Sequence, residues 1–369
     1  MARCVIDCDL HERVVCIGDV HGDLMVLCRV LVRARVMSCS SAFMAAASAC
    51  HRGDGRASIA SPPVIVTSET CRWVGGSACV VLLGDAIDNQ RGDEPLGRCG
   101  LPATQQTLLQ ILEELHAQAS RQSGRVAFVL GNHECLNIVD RNQGAYCTHN
   151  MPSRFVLDGV TAPLCVGDRV LRTHPAWRRR LLAFLRTVNA CAVMLLVSGD
   201  VSVGLLMHGM LHDRFCDRAG LRALRGPPNA RLAGAVRNAE AINMLFDRCL
   251  HHSTGGVYDC LAQGEGPFKS EHLPTWCRAT VDIDKLPACV RRYFDTTVVI
   301  KGHDVVFERP LMREVGGDGL VIFTDVAMSR SMRHAGADAV PLAFVEYKDH
   351  EWTVHSWISK GWKVITHPA

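Results

Sequence analysis

Three short polar motifs, each placed directly after an apolar run, constrain this chain more than any other feature. The motifs are GDVHG at residues 18–22, GDAIDN at residues 84–89 and GNHE at residues 131–134. The runs before them are rich in Val, Leu and Ile, which predicts buried strands that end where the polar residues begin. Asp, His and Asn side chains that meet at one sheet edge are costly to bury alone but suit divalent metal ions. The sequence therefore predicts a metal centre at the ends of three strands.

Two later motifs extend this pattern. His208 and Gly209 follow the apolar residues 201–207, and GHD at residues 302–304 follows the β-branched residues 297–300. A histidine satisfied within the core is the structural alternative for His208 and for His303. Because ordered ligand candidates from Asp19 to His303 must meet in one place, we expect a single domain over residues 1–369.

The five motifs, in this order, resemble those of the metallo-dependent phosphoesterases, and among them the phosphoprotein phosphatases, whose blocks read GDxHG, GDxxDRG, GNHE, HG and GH. Residues 130–137 (LGNHECLN) and 324–330 (TDVAMSR) resemble the Shewanella-like protein phosphatases, although Ala327 stands where that group usually has Gly. The resemblance implies an α/β fold in which two mixed β-sheets pack face to face as a sandwich flanked by helices. A dinuclear metal site lies at the strand ends of this calcineurin-like phosphoesterase fold.

The resemblance also implies a set of metal ligands. Asp85 would bridge the two ions, while Asp19 and His21, two residues apart, would face the same side of an extended segment and bind one ion together. Mn, Fe and Zn all accept such oxygen and nitrogen ligands, so the identity of the two divalent ions stays open. The implied ligands are Asp19, His21, Asp85, Asn132, His208 and His303.

A proton donor is implied next to these ligands. The family uses the histidine after the ligand asparagine as the general acid for the leaving alkoxide, and a carboxylate three residues after the bridging aspartate orients it. These residues correspond to His133 and Asp88. In an extended chain, His133 would point away from Asn132 and toward the substrate.

The second block departs from the family pattern. The arginine that clamps the substrate phosphate is replaced by Asn89, and Arg91 follows two residues later. We favour Arg91 as the clamp because a guanidinium can bind phosphate with two parallel hydrogen bonds, although Arg91 could instead be a plain surface residue. Arg330 is a second candidate.

We interpret the chain as a dinuclear metal-dependent phosphomonoesterase. By resemblance, it is a protein phosphatase for phosphoserine, phosphothreonine or phosphotyrosine, in which a metal-bridging hydroxide attacks the phosphorus. One alternative is a hydrolase of dinucleoside polyphosphates or other nucleotides, which shares the metal motifs. The other is a phosphoprotein-binding module with weakened catalysis, suggested by Asn89, but a pure binder has no use for the general acid His133.

Composition restricts the partners and the compartment. The net charge is +3, from 40 basic and 37 acidic residues, which gives no reason to expect nucleic acid or a membrane surface as partner. No apolar stretch approaches the roughly 20 residues of a membrane span, and residues 1–11 lack the apolar core of a signal peptide. The eighteen cysteines include no C-x2-C pair. We therefore expect reduced, buried thiols and a cytoplasmic or nuclear protein.

One segment reads as an insertion. Residues 38–63 are rich in Ser, Ala and Gly and end in two prolines, which predicts a mobile surface insertion without regular structure. Elsewhere, periodicity predicts helices over residues 101–121, 178–189 and 239–251, irregular chain over residues 139–177, and hairpins over residues 192–207 and 342–357.

Overall fold

A computed structural model gives the fold of most of the chain. The residues that it describes are 3–52, 66–87, 102–138, 155–157, 160–162, 175–252, 257, 260–261, 272–278, 285–306, 311–328, 341–357 and 362–368.

Two six-stranded mixed β-sheets form the centre of the fold. The described strands are β1 (Val5–Asp7), β2 (Val14–Ile17), β3 (Met37–Cys39), β4 (Cys71–Trp73), β5 (Cys79–Leu82), β6 (Arg125–Phe128), β7 (Phe155–Leu157), β8 (Val160–Ala162), β9 (Val193–Ser198), β10 (Val201–Met207), β11 (Val298–Lys301), β12 (Met312–Val315), β13 (Gly319–Phe323), β14 (Leu342–Lys348), β15 (Glu351–Trp357) and β16 (Trp362–Pro368). Sheet A has the order β1-β9-β10-β11-β13-β12 and sheet B the order β16-β15-β14-β2-β5-β6. Strands β3 and β4 form a separate two-stranded ribbon, as do β7 and β8.

Helices cover the sheets. The described α-helices are α1 (Leu24–Arg33), α2 (Ser41–Arg52), α3 (Pro102–Ser120), α4 (Asn132–Ile138), α5 (Pro175–Thr187), α6 (Asp213–Arg218), α7 (Pro228–His252) and α8 (Ala288–Phe294). Helices α1 and α3 contact strands of sheet B, whereas α7 contacts β9 and β10 of sheet A. Within the described ranges, no helix combines the length and the apolar character needed to cross a bilayer.

The two sheets meet face to face. Trp352 of β15 is fully buried, and its indole ring packs over Gly204 of β10 in the other sheet. A Cβ atom at position 204 would lie 3.1 Å from the ring and 3.1 Å from Ile300, so the absence of a side chain allows this close approach. The predicted sandwich of two mixed sheets flanked by helices is confirmed.

Parallel pairing brings the ends of three strands of sheet B to one edge. Strand β5 lies between β2 and β6 and runs parallel to both, with Leu82 level with Ile17 and Phe128. The first three motifs follow these strands within a few residues, so they lie side by side as the sequence predicts.

Sheet A repeats this arrangement. Strand β11 lies between β10 and β13 and is parallel to both, with Lys301 level with Met207 and Phe323. His208, Gly302 and Thr324 therefore begin three adjacent loops at one edge.

Most of the predicted elements are present. The hairpins over residues 192–207 and 342–357 are confirmed as antiparallel pairs. The helix predicted over residues 239–251 is present but begins earlier, at Pro228. Strands β7 and β8 replace part of the chain that was predicted to be irregular.

The expectation for residues 38–63 is wrong for residues 38–52, and residues 53–63 lie outside the described ranges. Strand β3 pairs with β4, and helix α2 packs against α1. Phe43 and Ala47, one helical turn apart, are buried on that contact face. Alanine contributes little to an apolar pattern, so Phe43 stood almost alone as a signal of helical periodicity.

The cysteines are mostly free thiols. Twelve cysteines of the described ranges are free, and eleven of them are buried. Cys249 of α7 and Cys260 form one disulfide, with 5.5 Å between their Cα atoms. The prediction of reduced thiols therefore holds for these twelve residues and fails for one pair.

The burial of Phe43 gives a test of the corrected fold. Phe43→Ala should lower the free energy of unfolding by about 3 kcal/mol, because a large buried side chain is lost next to α1. Urea denaturation followed by circular dichroism measures this change. Ala45→Ser, at an exposed position of the same helix, is the control and should change stability by less than about 1 kcal/mol. Equal stability of both variants would show that α2 does not pack on the core.

Candidate metal centre

The six predicted ligands come together in one buried cluster at the shared strand ends. The most exposed of them, His303, is only 6% exposed. The other five ligands are Asp19, His21, Asp85, Asn132 and His208, and each of them is buried.

Asp85 lies at the centre of this cluster. Its Oδ2 atom is 3.2 Å from His208 Nε2, 3.7 Å from His133 Nε2 and 3.9 Å from His21 Nε2. Two groups of side chains could each hold an ion, one formed by His21, Asp85 and His133 and the other by Asp85, His208 and His303. Asp85 belongs to both groups, which is the position that a bridging carboxylate would occupy.

His208 shows why a cation fits here. Its Nδ1 atom is 2.7 Å from the Leu83 carbonyl oxygen, which can only accept, so in the neutral form of the ring the proton lies on Nδ1. The Nε2 lone pair then faces Asn132 Oδ1 at 2.9 Å and Asp85 Oδ2 at 3.2 Å. Three electron-rich atoms converge without a proton between them, and a divalent ion satisfies all three.

His303 adds a second observation of this kind. Its Nε2 atom is buried and has no hydrogen-bond partner among the described residues. Its backbone N–H donates to both carboxylate oxygens of Asp19, at 3.2 and 3.1 Å, so the two sheets are joined at this point. An orphaned buried imidazole nitrogen is costly unless it binds a metal or a proton donor.

Burial and neighbouring rings set the protonation of Asp85 and His303. Burial would raise the pKa of Asp85, but the facing rings of His208 and His133 hold it well below its usual range. Burial lowers the pKa of His303 well below that of free histidine. A neutral imidazole and an ionised carboxylate are the forms that bind metal ions.

Asp325 is a residue of the centre to which the sequence analysis assigned no role. Its side chain is 1% exposed, its carboxyl group contacts that of Asp19, and its Oδ1 accepts a hydrogen bond from Ala327 N at 3.0 Å. Burial and the neighbouring Asp325 raise the pKa of Asp19 well above its usual value. Acids packed this closely need positive charge nearby to stay ionised.

Two local features allow Asp19 and Asp325 to approach each other. A Cβ atom at Gly18 would lie 2.5 Å from the Thr324 carbonyl oxygen, so only glycine fits between these loops. Ala327 has φ = 55°, in the left-handed region that favours glycine. Glycine would adopt this conformation freely, and Ala327 adopts it here at some cost in strain.

Glu134 orders the loops that carry Asp85. Its Oε2 accepts hydrogen bonds from the backbone N–H groups of Asp85 and Gly131, at 2.8 and 2.9 Å, and its Oε1 accepts one from Ala86 at 2.9 Å. Burial, with the nearby charge of Asp85, raises the pKa of Glu134 to about 8. Its place as the last residue of the GNHE motif was the available sequence signal for this structural role.

The local geometry around His133 differs from the expectation. Asn132 begins helix α4, so the chain is not extended at this point, and His133 does not point away from the centre. Its backbone N–H donates to Asp85 Oδ1 at 2.9 Å, and its ring meets that of His21 edge-on, with 5.0 Å between centroids. His21 has φ = 42°, so the Asp19 to His21 segment is not a regular strand either.

The remaining sequence candidates, Asp88, Arg91 and Arg330, lie outside the described residues. The structure instead places Arg278 at the rim of the centre, with a side chain that is 60% exposed. Its Nη1 atom lies 3.4 Å from the His303 carbonyl oxygen and 3.5 Å from Asp304 Oδ1. No motif marks Arg278, so only the folded chain shows that it lies beside a ligand.

Comparisons with known proteins agree with this fold. No protein-family profile matches the chain. Over 127 residues the chain is 33% identical to Shewanella-like protein phosphatase 2 of Arabidopsis thaliana, a match that covers 34% of this chain and 22% of that protein. A point variant of a cold-active protein tyrosine phosphatase has a similar structure, with a TM-score of 0.53, 15% identity, and coverage of 96% of this chain and 80% of that one. A second structure of a cold-active protein tyrosine phosphatase gives a TM-score of 0.50 at 15% identity, with coverage of 96% and 78%.

The sandwich of two mixed sheets, with Asp, Asn and His ligands at the strand ends, is the calcineurin-like fold of the metallophosphoesterases. Over the 127 matched residues, the chain is similar in sequence to a Shewanella-like protein phosphatase. The matched region spans about a fifth of the length of the Arabidopsis protein.

The central position of Asp85 gives a prediction about metal content. Asp85→Asn should lose bound divalent metal, because one carboxylate belongs to both groups of candidate ligands. Elemental analysis after equilibration with Mn²⁺ measures the metal content, and two ions per chain are expected for the unchanged protein. Asp349→Asn, in the exposed turn between β14 and β15, is the matched control and should bind metal normally. Full metal content in Asp85→Asn would contradict the bridging position.

Proposed function

We propose that this chain is a metal-dependent phosphomonoesterase that acts on phosphorylated proteins. The observation that carries the proposal is the sharing of Asp85 by two groups of buried candidate ligands, one with His21 and His133 and the other with His208 and His303. The relationship to Shewanella-like protein phosphatases supports phosphoserine, phosphothreonine or phosphotyrosine side chains as the substrate class.

The residues that would hold two divalent ions divide at Asp85. Asp19 and His21 lie on one side, with 3.9 Å between Asp19 Oδ2 and His21 Nε2. Asn132, His208 and His303 lie on the other. When bound, the ions supply positive charge for the phosphate oxygens and lower the pKa of a water nucleophile.

His133 is the group that we assign as the proton donor to the leaving oxygen. It is fully buried, its backbone is fixed to Asp85 Oδ1, and its Nε2 lies 3.7 Å from Asp85 Oδ2. A carboxylate at this distance stabilises the protonated imidazole, which can then give up a proton as the phosphorus–oxygen bond breaks. Asp88 stays the sequence-based candidate for orienting this ring.

Arg278 is the described residue best placed to bind the outer oxygens of the phosphate. Its two contacts with described residues, to the His303 carbonyl oxygen and to Asp304, both use Nη1. Its Nε and Nη2 atoms offer further N–H donors. Asp304, its ion-pair partner at 3.5 Å, is already bound at 2.6 Å by the buried Lys301 through its other oxygen. Arg278 can therefore turn toward an anion without leaving Asp304 unpaired. Arg91 and Arg330 stay sequence-based candidates for the same task.

The assignment of His133 predicts a dependence on the leaving group. His133→Asn should slow hydrolysis of an alkyl phosphate such as phosphoserine peptide by about 10²–10⁴-fold, and that of an aryl phosphate such as p-nitrophenyl phosphate much less, because an aryl oxide leaves without protonation. Metal content should stay unchanged if His133 donates the proton and does not hold the ion beside His21 and Asp85. Equal losses for both substrates would contradict the role as general acid. Including a dinucleoside tetraphosphate in the panel tests the nucleotide alternative, since a strong preference for it would overturn the protein-phosphatase assignment.

The position of Arg278 predicts a loss of substrate binding. Arg278→Ala should lower kcat/KM by roughly 10- to 100-fold, mainly through a higher KM, since a hydrogen bond to a charged group is worth about 1.5–3 kcal/mol. Steady-state kinetics with a phosphopeptide measure the effect. Arg231→Ala removes an exposed arginine from helix α7 and is the control, with unchanged kinetics expected. A silent Arg278→Ala variant would move the phosphate clamp to Arg91 or Arg330.

A further inference from the structure

Two cysteines face each other across the small β3–β4 ribbon, and neither belongs to the metal centre. Cys39 and Cys71 are directly opposite in the antiparallel register, and their Sγ atoms are 3.8 Å apart. Backbone hydrogen bonds run from Ser40 N to Thr70 O and from Val74 N to Val36 O. Since hydrogen-bonded pairs alternate along such a ribbon, Cys39 and Cys71 form a non-hydrogen-bonded pair, in which the side chains lie closest together.

The two thiols differ in access to solvent. Cys39 is partly exposed, whereas Cys71 and the nearby Cys28 of helix α1 are fully buried. A small oxidant can therefore reach Cys39 first, while Cys71 is buried next to it. This is the arrangement of an attacking thiol and a resolving thiol.

The surroundings of the two thiols also shift their pKa values in opposite directions. Hydrogen bonds from the thiols of Cys28 and Cys71 lower the pKa of Cys39, while the same contact with Cys39 and burial raise the pKa of Cys71. Cys16 and Cys79, buried within sheet B, have pKa values raised by burial. Cys39 is thus the thiol of this group with the greatest thiolate character, the form that reacts with peroxides.

We propose that Cys39 and Cys71 form a peroxide-reactive modification site that closes to a disulfide. The Cys39 thiolate attacks one oxygen of hydrogen peroxide, the O–O bond breaks, and the second oxygen leaves as hydroxide and takes up a proton to become water. Cys39 is then a sulfenic acid. The Cys71 sulfur attacks the Cys39 sulfur, the S–S bond forms, and the hydroxyl group leaves with the Cys71 proton as a second water. Two thiols lose two electrons in total, and one peroxide gains them.

The backbone is already arranged for this bond. Disulfides need Cβ atoms about 3.5–4.5 Å apart, a distance that directly opposed non-hydrogen-bonded residues nearly provide, so only small side-chain rotations are needed. The ribbon packs on α1 through β3 and on α3 through β4. Helix α1 begins at Leu24, directly after its N-cap Asp23, which follows the GDVHG motif. The modification would therefore lie behind the helix that follows the first metal motif, without using any of its ligands.

Peptide mapping tests the proposal directly. The full-length protein is treated with hydrogen peroxide, the remaining thiols are blocked with N-ethylmaleimide, and a non-reducing digest is analysed by mass spectrometry. We expect a peptide linked through Cys39 and Cys71 that grows with peroxide dose and disappears after reduction. Cys39→Ser should lose this peptide entirely, and Cys28→Ser should keep it. Circular dichroism confirms that each variant is folded.

Cys71→Ser makes the test more specific. With the resolving thiol removed, the Cys39 sulfenic acid should accumulate and be captured by dimedone. No dimedone adduct is expected at Cys16, because this thiol is buried. A link from Cys39 to Cys28, over-oxidation of Cys39 in the unchanged protein, or no reaction at Cys39 would each overturn the proposal. These readouts do not depend on phosphatase activity, so they stand or fall separately from the proposed function.

Discussion

The burial of several acids in one place is the constraint on which the rest of the structure depends. Asp19, Asp85 and Asp325 are each about 1% exposed and lie close together beside neutral imidazoles. The buried ammonium group of Lys301 is already bound to Asp304 and the Gly302 carbonyl oxygen, at 2.6 and 2.7 Å. Carboxylates in such a low-dielectric setting are ionised only if cations accompany them. Divalent metal ions would supply this charge, and the groups of His and Asp side chains at the centre could hold them.

The sheet topology places these acidic and imidazole side chains close together. Three parallel strands of each sheet end at the same edge, and a loop of one to a few residues then carries the ligand. Contacts between the loops need the closest possible backbone approach, which explains Gly18 opposite Thr324. Glu134 then fixes the Asp85 loop through two backbone hydrogen bonds, and a third joins it to Gly131 of its own loop. Apolar strands, small residues and a buried acid thus act together to place a few donor atoms.

The sequence predicts the clustering of the six candidate ligands better than it predicts their surroundings. Apolar runs followed by Asp, Asn or His mark the strands and the ligands because both signals are local. The helical start at Asn132 and the roles of Asp325 and Arg278 depend on neighbours distant in sequence, so no local pattern reports them. Helix α2 was missed for a different reason, since its fully buried positions among residues 41–48 are only Phe43 and Ala47, with Met44 partly buried. Tertiary contacts decide such cases, not periodicity.

The division of the ligands between two sheets has a consequence for stability. Asp19, His21, Asp85 and Asn132 follow strands of sheet B, whereas His208 and His303 follow strands of sheet A. An ion held by both sets would cross-link two layers that otherwise meet through side-chain packing, such as Trp352 over Gly204, and through hydrogen bonds such as those from His303 N to Asp19. Because the ion binds only when the layers are docked, each increment of free metal shifts the docking equilibrium by mass action. Metal supply would then set how tightly the two halves of the sandwich hold together, as well as what the centre can do.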